Sequence, residues 1–494
     1  MILVSFTLNF HFAYKSRRNM SSIMEVMNSQ NLAVIGASRN PVKPGALLIK
    51  VLQDTGFKGK VAGVNTGGGD VYGTTLYPDL ESIPFAVDLA IFYIPPGLVP
   101  EMLEQCALKG VKGVVISAEG FAESGEDGRE VQERVQEILK KTGIRAFGPN
   151  TLGVVNTETG LTTSYFSNQE MLQPGSIGFA AQSGVFVGAL LRYFTSLGKL
   201  GISKGMGLGN KVDVDECDAL NYFHADPQTR FIGLYLEDVR DGRRFLETAR
   251  LVARDKPLLV LKGGRTARGA QATASHTASL AVDDSVFAGA LRQAGAIRME
   301  SIEEMMQTMM GFAWMPLPAG NKIALVTYSG AQAIMSIDAA MQAGLELAEF
   351  APQTRDKISE VIATDAKSKN PIDIFPDMMA HGFEKTITRI LSALFEDAGV
   401  HGIILINFAQ SGAQMYQPVI DVWRQYRSKP LFVSLMGVRK DNREGGDFFL
   451  ENEVPFYPYP EAGVRVFSKM WQYAKQKNKT TAMMLPAIET KKSE

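Results

Sequence analysis

Short apolar runs alternate with longer, helix-like segments along most of the chain. The clearest runs are NLAVIGAS (31–38), DLAIFYI (88–94), GVVIS (113–117), SIGFAAQSG (176–184), FIGLYLE (231–237), PLLVLKGG (257–264), KIALVTYSG (322–330), GIILINF (402–408) and PLFVSLMG (430–437). Uniformly apolar runs of this length are typical of parallel strands, which helices cover on both faces. The alternation therefore predicts an α/β fold.

Three of the runs, starting at residues 31, 176 and 322, end in small residues and lead into a helix-like segment. A Gly or Ser there lets the chain turn sharply, and the N–H groups of the new helix form an anion site. KPLLVLKGG (256–264) and KPLFVSLMG (429–437) occupy similar places after the second and third openings. We therefore predict a Rossmann-like domain followed by two flavodoxin-like parallel-sheet domains.

Two linking segments suggest the domain boundaries. GPNTLGVVN (148–156) closes the first unit, and the Pro-rich AWMPLPAGNK (313–322) joins the second to the third. The predicted division is a poorly structured N-terminal extension (1–29), a Rossmann-like domain (30–155), two flavodoxin-like domains (156–316 and 317–478) and a C-terminal tail (479–494). In the extension, an apolar stretch precedes the basic KSRR (15–18), the reverse of a secretory signal. Because homogeneous globular sequence begins only near Asn31, we expect translation to start at Met20 or Met24.

Composition and charge exclude several classes of protein. With 45% hydrophobic residues and 47 glycines among 494, the chain is typical of a soluble multidomain α/β protein. A net charge of −1 creates no field that would attract nucleic acid or an anionic bilayer, and no apolar run approaches the ~20 residues that span a membrane. Cys106 and Cys217 lie far apart, outside any disulfide or zinc pattern. We expect a cytoplasmic protein without nucleic-acid, membrane or metal-binding sites.

The glycine-rich turn of the first domain differs from a dinucleotide fingerprint. After Gly36 the GxGxxG pattern fails, and the second strand ends in Asn65, where an NAD site has a carboxylate for the ribose. One alternative is a turn used only for packing. Against this, Lys43 can meet a phosphate, and YIPP (93–96) and SAEGFAESGEDG (117–128) follow other strands. Ligands bind at this carboxyl edge of open α/β sheets.

One histidine has unusual neighbours. The chain has five, and His276 lies within TASHTASLA (273–281), among small residues that leave room around the ring. For a lone histidine an ordinary loop position is the usual interpretation. A neutral imidazole is also a competent nucleophile near pH 7.

Several motifs occur in a fixed order. They are AVIGAS (33–38), GPNTLGVVN (148–156), AQSGVFVGALL (181–191), GLGNKVDVDECDAL (207–220), SHTASLA (275–281) and NPIDI (370–374). Together they resemble the α subunit of the acyl-CoA synthetases that form nucleoside diphosphates. That family includes the ADP-forming acetate–CoA ligases and is related to succinyl-CoA synthetase. The resemblance covers about residues 30 to 475.

The resemblance implies that the first domain binds CoA. Its CoA-binding residues would be Gly36, Ala37, Ser38, Lys43, Asn65, Pro95 and Glu119. Where the family usually has NPK after the second strand, this chain has NTGGG (65–69), so some contacts to CoA are expected to differ.

The resemblance also implies that His276 carries a phosphoryl group. The N–H groups of Ser183 and Gly184, at a helix start, would bind that phosphate. Glu237 would hold the other ring nitrogen and stabilise the charged ring. Alternatively, Glu237 pairs with the nearby Arg240.

The phosphoryl route needs a nucleotide site, and the sequence offers no GxxxxGK[ST] loop. The resemblance implies a separate ATP-grasp β subunit that holds ADP or ATP and Mg, in a hetero-oligomer such as α2β2. The expected enzyme is an acid–thiol ligase that interconverts acyl-CoA, ADP and phosphate with a carboxylic acid, CoA and ATP. Two alternatives stay open: a CoA-binding scaffold that has lost phosphoryl transfer, and a transferase-like paralogue that uses no nucleotide.

Overall fold

The computed structural model describes residues 22–277, 283–364, 368–375 and 377–484, with the side chains of 275–277 and 479–484 left out. The described residues fall into two compact units. The first lies within Met1–Ser196 and Gly201–Glu300, and the second within Leu197–Leu200 and Ser301–Glu494. Within this described part, no helix is long and apolar enough to cross a membrane.

The first sheet of the first unit has seven strands. They are β1 (Asn31–Ile35), β2 (Lys60–Val64), β3 (Gly69–Val71), β4 (Thr74–Tyr77), β5 (Leu89–Phe92), β6 (Gly113–Ile116) and β7 (Arg145–Phe147). The spatial order is β3-β4-β2-β1-β5-β6-β7, and β3 alone among these runs antiparallel to its neighbour. The six parallel strands have the order of a Rossmann sheet, as the sequence predicts.

From residue 22 onward, where the described chain begins, four helices accompany this sheet: α1 (residues 22–27), α2 (Pro44–Asp54), α3 (Val99–Lys109) and α4 (Glu126–Thr142). Short helical turns also occur at Pro96–Leu98 and Ala122–Ser124. Helix α1 corrects the predicted extension, which was drawn as poorly structured to residue 29. Ile23, Val26 and Met27 are buried because their spacing places them on one apolar face. The signal was missed because it spans less than two turns.

The second sheet of the first unit also has seven strands. They are β8 (Val154–Asn156), β9 (Leu161–Thr162), β10 (Pro174–Ala181), β11 (Ile202–Gly207), β12 (Phe231–Leu236), β13 (Leu258–Lys262) and β14 (Ile297–Met299). The order is β14-β13-β12-β10-β11-β8-β9. Counted from β10, the five parallel strands follow the flavodoxin order 2-1-3-4-5. β8 extends the sheet by pairing antiparallel with β11, so the predicted domain boundary at 155/156 falls inside β8.

The helices around this second sheet are α5 (Leu191–Thr195), α6 (Glu216–Ala225), α7 (Gly242–Asp255), α8 (Ala267–Thr277) and α9 (Asp284–Ala294). A π-helical turn, Phe186–Leu190, leads directly into α5. Where the sequence suggested a loop around His276, residues 274–277 belong to α8. The alanines that made this segment look small also favour a helix.

The second unit contains the third sheet. Its strands are β15 (Lys322–Thr327), β16 (Glu346–Leu347), β17 (Ile372–Asp373), β18 (Gly402–Phe408) and β19 (Leu431–Met436). The order is β16-β15-β18-β19, with β17 also pairing with β15, and all of these pairs are parallel. The buried strands β15, β18 and β19 are the runs that the sequence analysis identified.

In the described part of this unit, eight helices accompany the third sheet. They are α10 (Ile302–Trp314), α11 (Gly330–Gln342), α12 (Pro352–Ser359), α13 (Asp377–His381), α14 (Phe383–Glu396), α15 (Gln417–Tyr426), α16 (Arg439–Glu451) and α17 (Pro460–Met484), with a short turn at Ala413–Tyr416. The predicted fold class, a Rossmann-like domain followed by two flavodoxin-like domains, is confirmed.

Candidate functional site

A cleft of about 790 Å³ opens in the first unit, along the carboxyl edge of the first sheet. Its walls there are Gly36, Ser38, Lys43, Pro44, Gly45 and Asn65 after β1 and β2, Tyr93 and Ile94 after β5, and Ser117, Ala118 and Glu119 after β6. Five of the seven residues predicted to bind CoA therefore line one cleft. Ala37 is buried beneath it, and Pro95 is exposed and does not line it.

The turn after β1 requires glycine at position 36. Its φ is +81°, and a Cβ there would lie 2.4 Å from the carbonyl oxygen of Tyr93. The same turn is held by Asn65, whose Nδ2 donates to the carbonyl oxygen of Ala37 at 2.8 Å. Ala37 and Asn65 thus fix the shape of the turn, which leaves Ser38 and Lys43 facing the cleft.

The opposite wall of the cleft comes from the following segment of the first unit. It is formed by Asn150, Thr151, Leu152, Tyr165, Phe166, Gln182, Ser183, Gly184, Val185, Gly209 and Asn210. The predicted phosphate-binding pair, Ser183 and Gly184, therefore faces the predicted CoA-binding loop across one cavity. This arrangement brings two of the sequence motifs, VIGAS and QSG, to the same site.

Gln182 connects the start of the helical segment after β10 to the end of β12, the strand beside β10 in the sheet. Its Oε1 accepts the N–H groups of Glu237 at 2.9 Å and Asp238 at 3.2 Å, and its Nε2 donates to the carboxylate of Asp238. Phe186, one turn into the helix, stacks on Tyr235 with ring centroids 4.0 Å apart. Ser183 and Gly184 are therefore held at a fixed place beside the end of β12.

Glu237 follows β12 and is buried. The hydroxyl of Tyr235 donates to Oε1 of Glu237 at 3.1 Å, and burial together with the Glu237 charge raises the pKa of Tyr235. The backbone of Gly263 passes close to both side chains, because a Cβ there would lie 2.6 Å from that hydroxyl oxygen and 3.4 Å from Cγ of Glu237. Arg240, the alternative partner considered for Glu237, donates to the carbonyl oxygen of Asn210 at 3.2 Å.

Lys211 lies behind the cleft and supports its wall through Asp238, a role that sequence reasoning missed. It is 1% exposed, and its Nζ contacts Glu216 Oε2 at 3.0 Å, Asp238 Oδ1 at 2.8 Å and the carbonyl oxygen of Asp238 at 3.0 Å. Burial raises the pKa of Glu216, and the charge of Lys211 opposes that rise. The available signal was a lysine followed closely by the acidic residues Asp213, Asp215 and Glu216, since a buried lysine needs acidic partners.

The helix that carries His276, α8, packs against the short turn Ala122–Ser124. It begins after Thr266, whose Oγ1 accepts the N–H of Gly269 at 3.1 Å. The side chain of His276 lies outside the described part of the structure. The turn that α8 contacts follows the loop of Ala118 and Glu119 in the chain, and those two residues line the cleft.

Glu123 secures that loop. Its carboxylate accepts the N–H groups of Gly120 at 2.7 Å and Phe121 at 3.1 Å, and Nδ2 of Asn210 donates to it at 2.6 Å. Burial alone would raise the pKa of Glu123, but these hydrogen bonds lower it. The loop beside the cleft thus depends on an ionised carboxylate.

Two segments of the chain that contribute walls of the cleft match known protein families. Residues 30–157 match the family model of a CoA binding domain, and residues 174–312 match the succinyl-CoA ligase like flavodoxin domain. The acetate–CoA ligase [ADP-forming] I subunit alpha of Pyrococcus furiosus is 35% identical over 93% of this chain and 99% of its own length. The chain belongs to the ADP-forming acetate–CoA ligase family.

A second relative and a solved structure support the same assignment to the ADP-forming acetate–CoA ligase family. Acetate–CoA ligase [ADP-forming] II of Archaeoglobus fulgidus is 39% identical over 92% of this chain and 67% of its own. The structure of dinucleotide forming acetyl-coenzyme A synthetase 1 of Ca. Korarchaeum cryptofilum, in complex with phosphate and ADP, matches with a TM-score of 0.85 and 28% identity, covering 93% of this chain and 98% of that one. The predicted resemblance is confirmed, and the chain is an acid–thiol ligase of the ADP-forming type.

Proposed function

We propose that this chain is the CoA-binding and phosphoryl-carrying subunit of an ADP-forming acyl-CoA synthetase. The reaction interconverts acyl-CoA, ADP and phosphate with a carboxylic acid, CoA and ATP. It proceeds through an acyl phosphate and a phosphohistidine at position 276. The domains involved are those predicted at 30–155 and 156–316, with 317–478 as the third.

One observation carries the proposal: the loop after β1 and the start of the helix after β10 line a single cleft. The first offers Gly36, Ser38 and Lys43 to a nucleotide and its phosphates. The second offers the N–H groups of Ser183 and Gly184 to a phosphate at the far wall. A CoA thioester and inorganic phosphate thus meet in one cavity, which the first step requires.

In that step a phosphate oxygen attacks the thioester carbonyl carbon, and the carbon–sulfur bond breaks. The proton of the phosphate passes to the departing sulfur, so CoA leaves as the thiol and acyl phosphate remains. The N–H groups of Ser183 and Gly184 would stabilise the negative charge on the phosphate oxygens. Their fixed position depends on Gln182 and its bonds to the end of β12.

In the second step a ring nitrogen of His276 attacks the phosphorus atom. The bond from phosphorus to the acyl oxygen breaks, and the carboxylic acid leaves as its anion. Glu237 would accept the N–H on the other ring nitrogen, fixing the tautomer and stabilising the positive ring. The burial of Glu237 strengthens such a charge–charge interaction.

The phosphoryl group must then reach ADP. We infer that a partner subunit with an ATP-grasp fold holds ADP or ATP with Mg, since the relative from Pyrococcus furiosus is itself an alpha subunit. A heterotetramer of two chains of each kind is the arrangement we expect. Besides the nucleotide, phosphate and CoA, the proposed enzyme acts on a small carboxylic acid or its CoA thioester.

Phosphorylation tests the mechanism directly. The purified chain is incubated with acetyl [³²P]phosphate, and we expect an acid-labile, alkali-stable label that His276→Asn abolishes. Glu237→Gln should lower the labelling rate at least about ten-fold, because the ring loses its orienting carboxylate.

His224→Asn is the matched control, because His224 pairs with Asp255 at 2.8 Å at the surface, away from the cleft. This variant should label like the unmodified chain. A chain that binds CoA but never takes up label would contradict the mechanism and favour the scaffold or transferase alternative.

A further inference from the structure

The helix that carries His276 contacts a small part of the first domain. α8 (Ala267–Thr277) packs against the turn Ala122–Ser124, which follows the cleft-lining residue Glu119 in the chain. The position of this turn therefore affects where α8 lies relative to the cleft.

One carboxylate holds the turn in place. Oε1 of Glu123 accepts the N–H groups of Gly120 at 2.7 Å and Phe121 at 3.1 Å, two residues of the same loop. Oε2 of Glu123 accepts Nδ2 of Asn210 at 2.6 Å. Asn210 belongs to the segment after β11 and lines the opposite wall of the cleft. The bond from Asn210 to Glu123 thus joins the two walls.

Asn210 itself has little freedom to move. It is 9% exposed, its N–H donates to the carbonyl oxygen of Pro149 at 2.9 Å, and its own carbonyl oxygen accepts Nη2 of Arg240 at 3.2 Å. Its Nδ2 also donates to Oε1 of Gln132 on α4 at 3.1 Å. Because both amide hydrogens are used, the side chain is held in one orientation. Glu123 therefore receives its hydrogen bond from a fixed donor.

The same segment also supports the phosphate site. Lys211, the next residue, pairs with Asp238 at 2.8 Å, and the carboxylate of Asp238 accepts Nε2 of Gln182. Gln182 directly precedes Ser183. Asn210 thus holds the turn that α8 contacts, and Lys211 supports the wall that presents Ser183. The distance between these two places is set within one short segment.

Phosphoryl transfer is sensitive to such a distance. The ring nitrogen of His276 must approach the phosphorus atom in line with the bond that breaks, and an error of about 1 Å can lower the rate about a hundred-fold. We propose that Asn210 is a positioning residue for this step. Through Glu123 it holds the turn that α8 contacts at the distance that in-line attack requires. The assignment rests on the proposed function, which supplies the transfer to His276.

Labelling of the full chain by acetyl [³²P]phosphate tests this role, because it follows the step from acyl phosphate to His276 without the partner subunit. Asn210→Asp replaces the donor by a second carboxylate facing Glu123, so the hydrogen bond is lost and the turn should move. The maximal labelling rate should fall about ten- to hundred-fold. The acetyl phosphate concentration that gives half of this rate should change less than about two-fold, because Gln182 keeps its bonds beside the phosphate site.

A second substitution should restore the rate. In the double variant Asn210→Asp/Glu123→Gln, the hydrogen bond can form again with donor and acceptor exchanged. The new amide nitrogen at position 123 donates to the new carboxylate, while the amide oxygen still accepts the N–H groups of Gly120 and Phe121. The maximal rate should return to within about three-fold of that of the unmodified chain. Circular dichroism checks that each variant is folded.

Asn168→Asp is the matched control. Nδ2 of Asn168 also donates to a glutamate, Oε2 of Glu170 at 3.2 Å, but Asn168 is not among the described residues that line the cleft. The same exchange of an amide for a carboxylate at this position should leave the labelling rate unchanged.

The outcomes separate the two proposals. An Asn210→Asp variant that labels at the rate of the unmodified chain, or a double variant that stays as slow as Asn210→Asp, would overturn the positioning role while phosphohistidine formation stands. An unmodified chain that takes up no label, or takes it up equally after His276→Asn, would overturn the proposed function and the positioning role with it.

Discussion

At the scale of single residues, the buried lysine behind the cleft is the most constrained side chain of the site. Lys211 has a φ of +55°, which is uncommon for a residue with a side chain, and it lies among Glu216 and Asp238. Asp238 in turn bonds Gln182, whose other contacts fix the backbone of Glu237. A charge that never touches the cleft thus helps to position two residues of the proposed mechanism.

Removing that charge should destabilise the protein. In Lys211→Met two buried carboxylates lose their cation, and the free energy of unfolding should fall by about 3–5 kcal/mol. Urea denaturation followed by circular dichroism measures the change. Lys58→Met, at an exposed lysine, is the control and should change stability by less than about 0.5 kcal/mol. Equal stability of both variants would show that the pairing contributes little.

A second residue-scale prediction concerns pH. The pKa of Glu123 is lowered below its ordinary value of 4.5, so its stabilisation is present above that value and is lost as pH falls through the lower, folded-state pKa. Glu123→Gln should therefore be about 1 kcal/mol less stable than the unmodified chain at pH 7. The difference should shrink below pH 4. Unfolding curves at the two pH values measure it, and a difference independent of pH would contradict the assignment.

At the scale of elements, the parallel strands were predictable and the irregular pieces were not. Runs such as FIGLYLE (231–237) are buried at nearly every position, which marks them in the sequence as central strands. The hairpin β3–β4, the strands β8 and β9, and the π-helical turn Phe186–Leu190 are each short. These pieces are two to five residues long, too short to show a hydrophobic period, and β4 and β8 also pair with strands distant in sequence.

The candidate site was predictable to the extent that each motif marks a strand end. Gly36, Asn65 and Ser183 come to one cleft because the carboxyl ends of parallel strands share an edge. Gln182 and Lys211 were quoted within motifs but given no role, since their hydrogen bonds join segments about 30 to 55 residues apart. Pro95 was predicted from its position after β5, yet it is not among the residues that line the cleft.

The turn after β1 yields a prediction for one element. Gly36→Ala adds a Cβ that would clash with the carbonyl of Tyr93, at a φ of +81°. Gly56→Ala is the matched control. Gly56 has a similar φ of +74°, and no atom lies within 4 Å of the Cβ that alanine would add. The free energy of unfolding of both variants should fall by about 1–2 kcal/mol, because a side chain is disfavoured at a positive φ. Only Gly36→Ala should also weaken CoA binding, by about ten-fold or more. Calorimetry with CoA distinguishes them, and equal CoA affinities would exclude a special role for the turn.

At the scale of the whole molecule, the chain spans different shares of its relatives' lengths. It spans 67% of the relative from Archaeoglobus fulgidus and 99% of the alpha subunit from Pyrococcus furiosus. We propose that a second subunit supplies the nucleotide-binding part. This is the arrangement that the proposed function requires.

The corresponding prediction is that the chain alone binds CoA without turnover. Incubated with carboxylic acid, ATP, Mg²⁺ and CoA, it should form no acyl-CoA above background, because the proposed function assigns the nucleotide to the partner subunit. Adding a purified ATP-grasp subunit should restore synthesis. Chromatographic detection of the thioester measures both, and a CoA titration of the same sample confirms that the chain is folded. Turnover by the chain alone would contradict the need for a partner.

The antiparallel pairing of β8 with β11 has a consequence for handling the molecule in parts. β8 ends at Asn156, well before residue 174, where the matched flavodoxin family begins. A fragment cut at that family boundary would bare the backbone amides and carbonyls along one side of β11. Unpaired backbone groups at an exposed sheet edge pair readily with strands of other chains, so the isolated fragment should self-associate. Expression should therefore start upstream of β8.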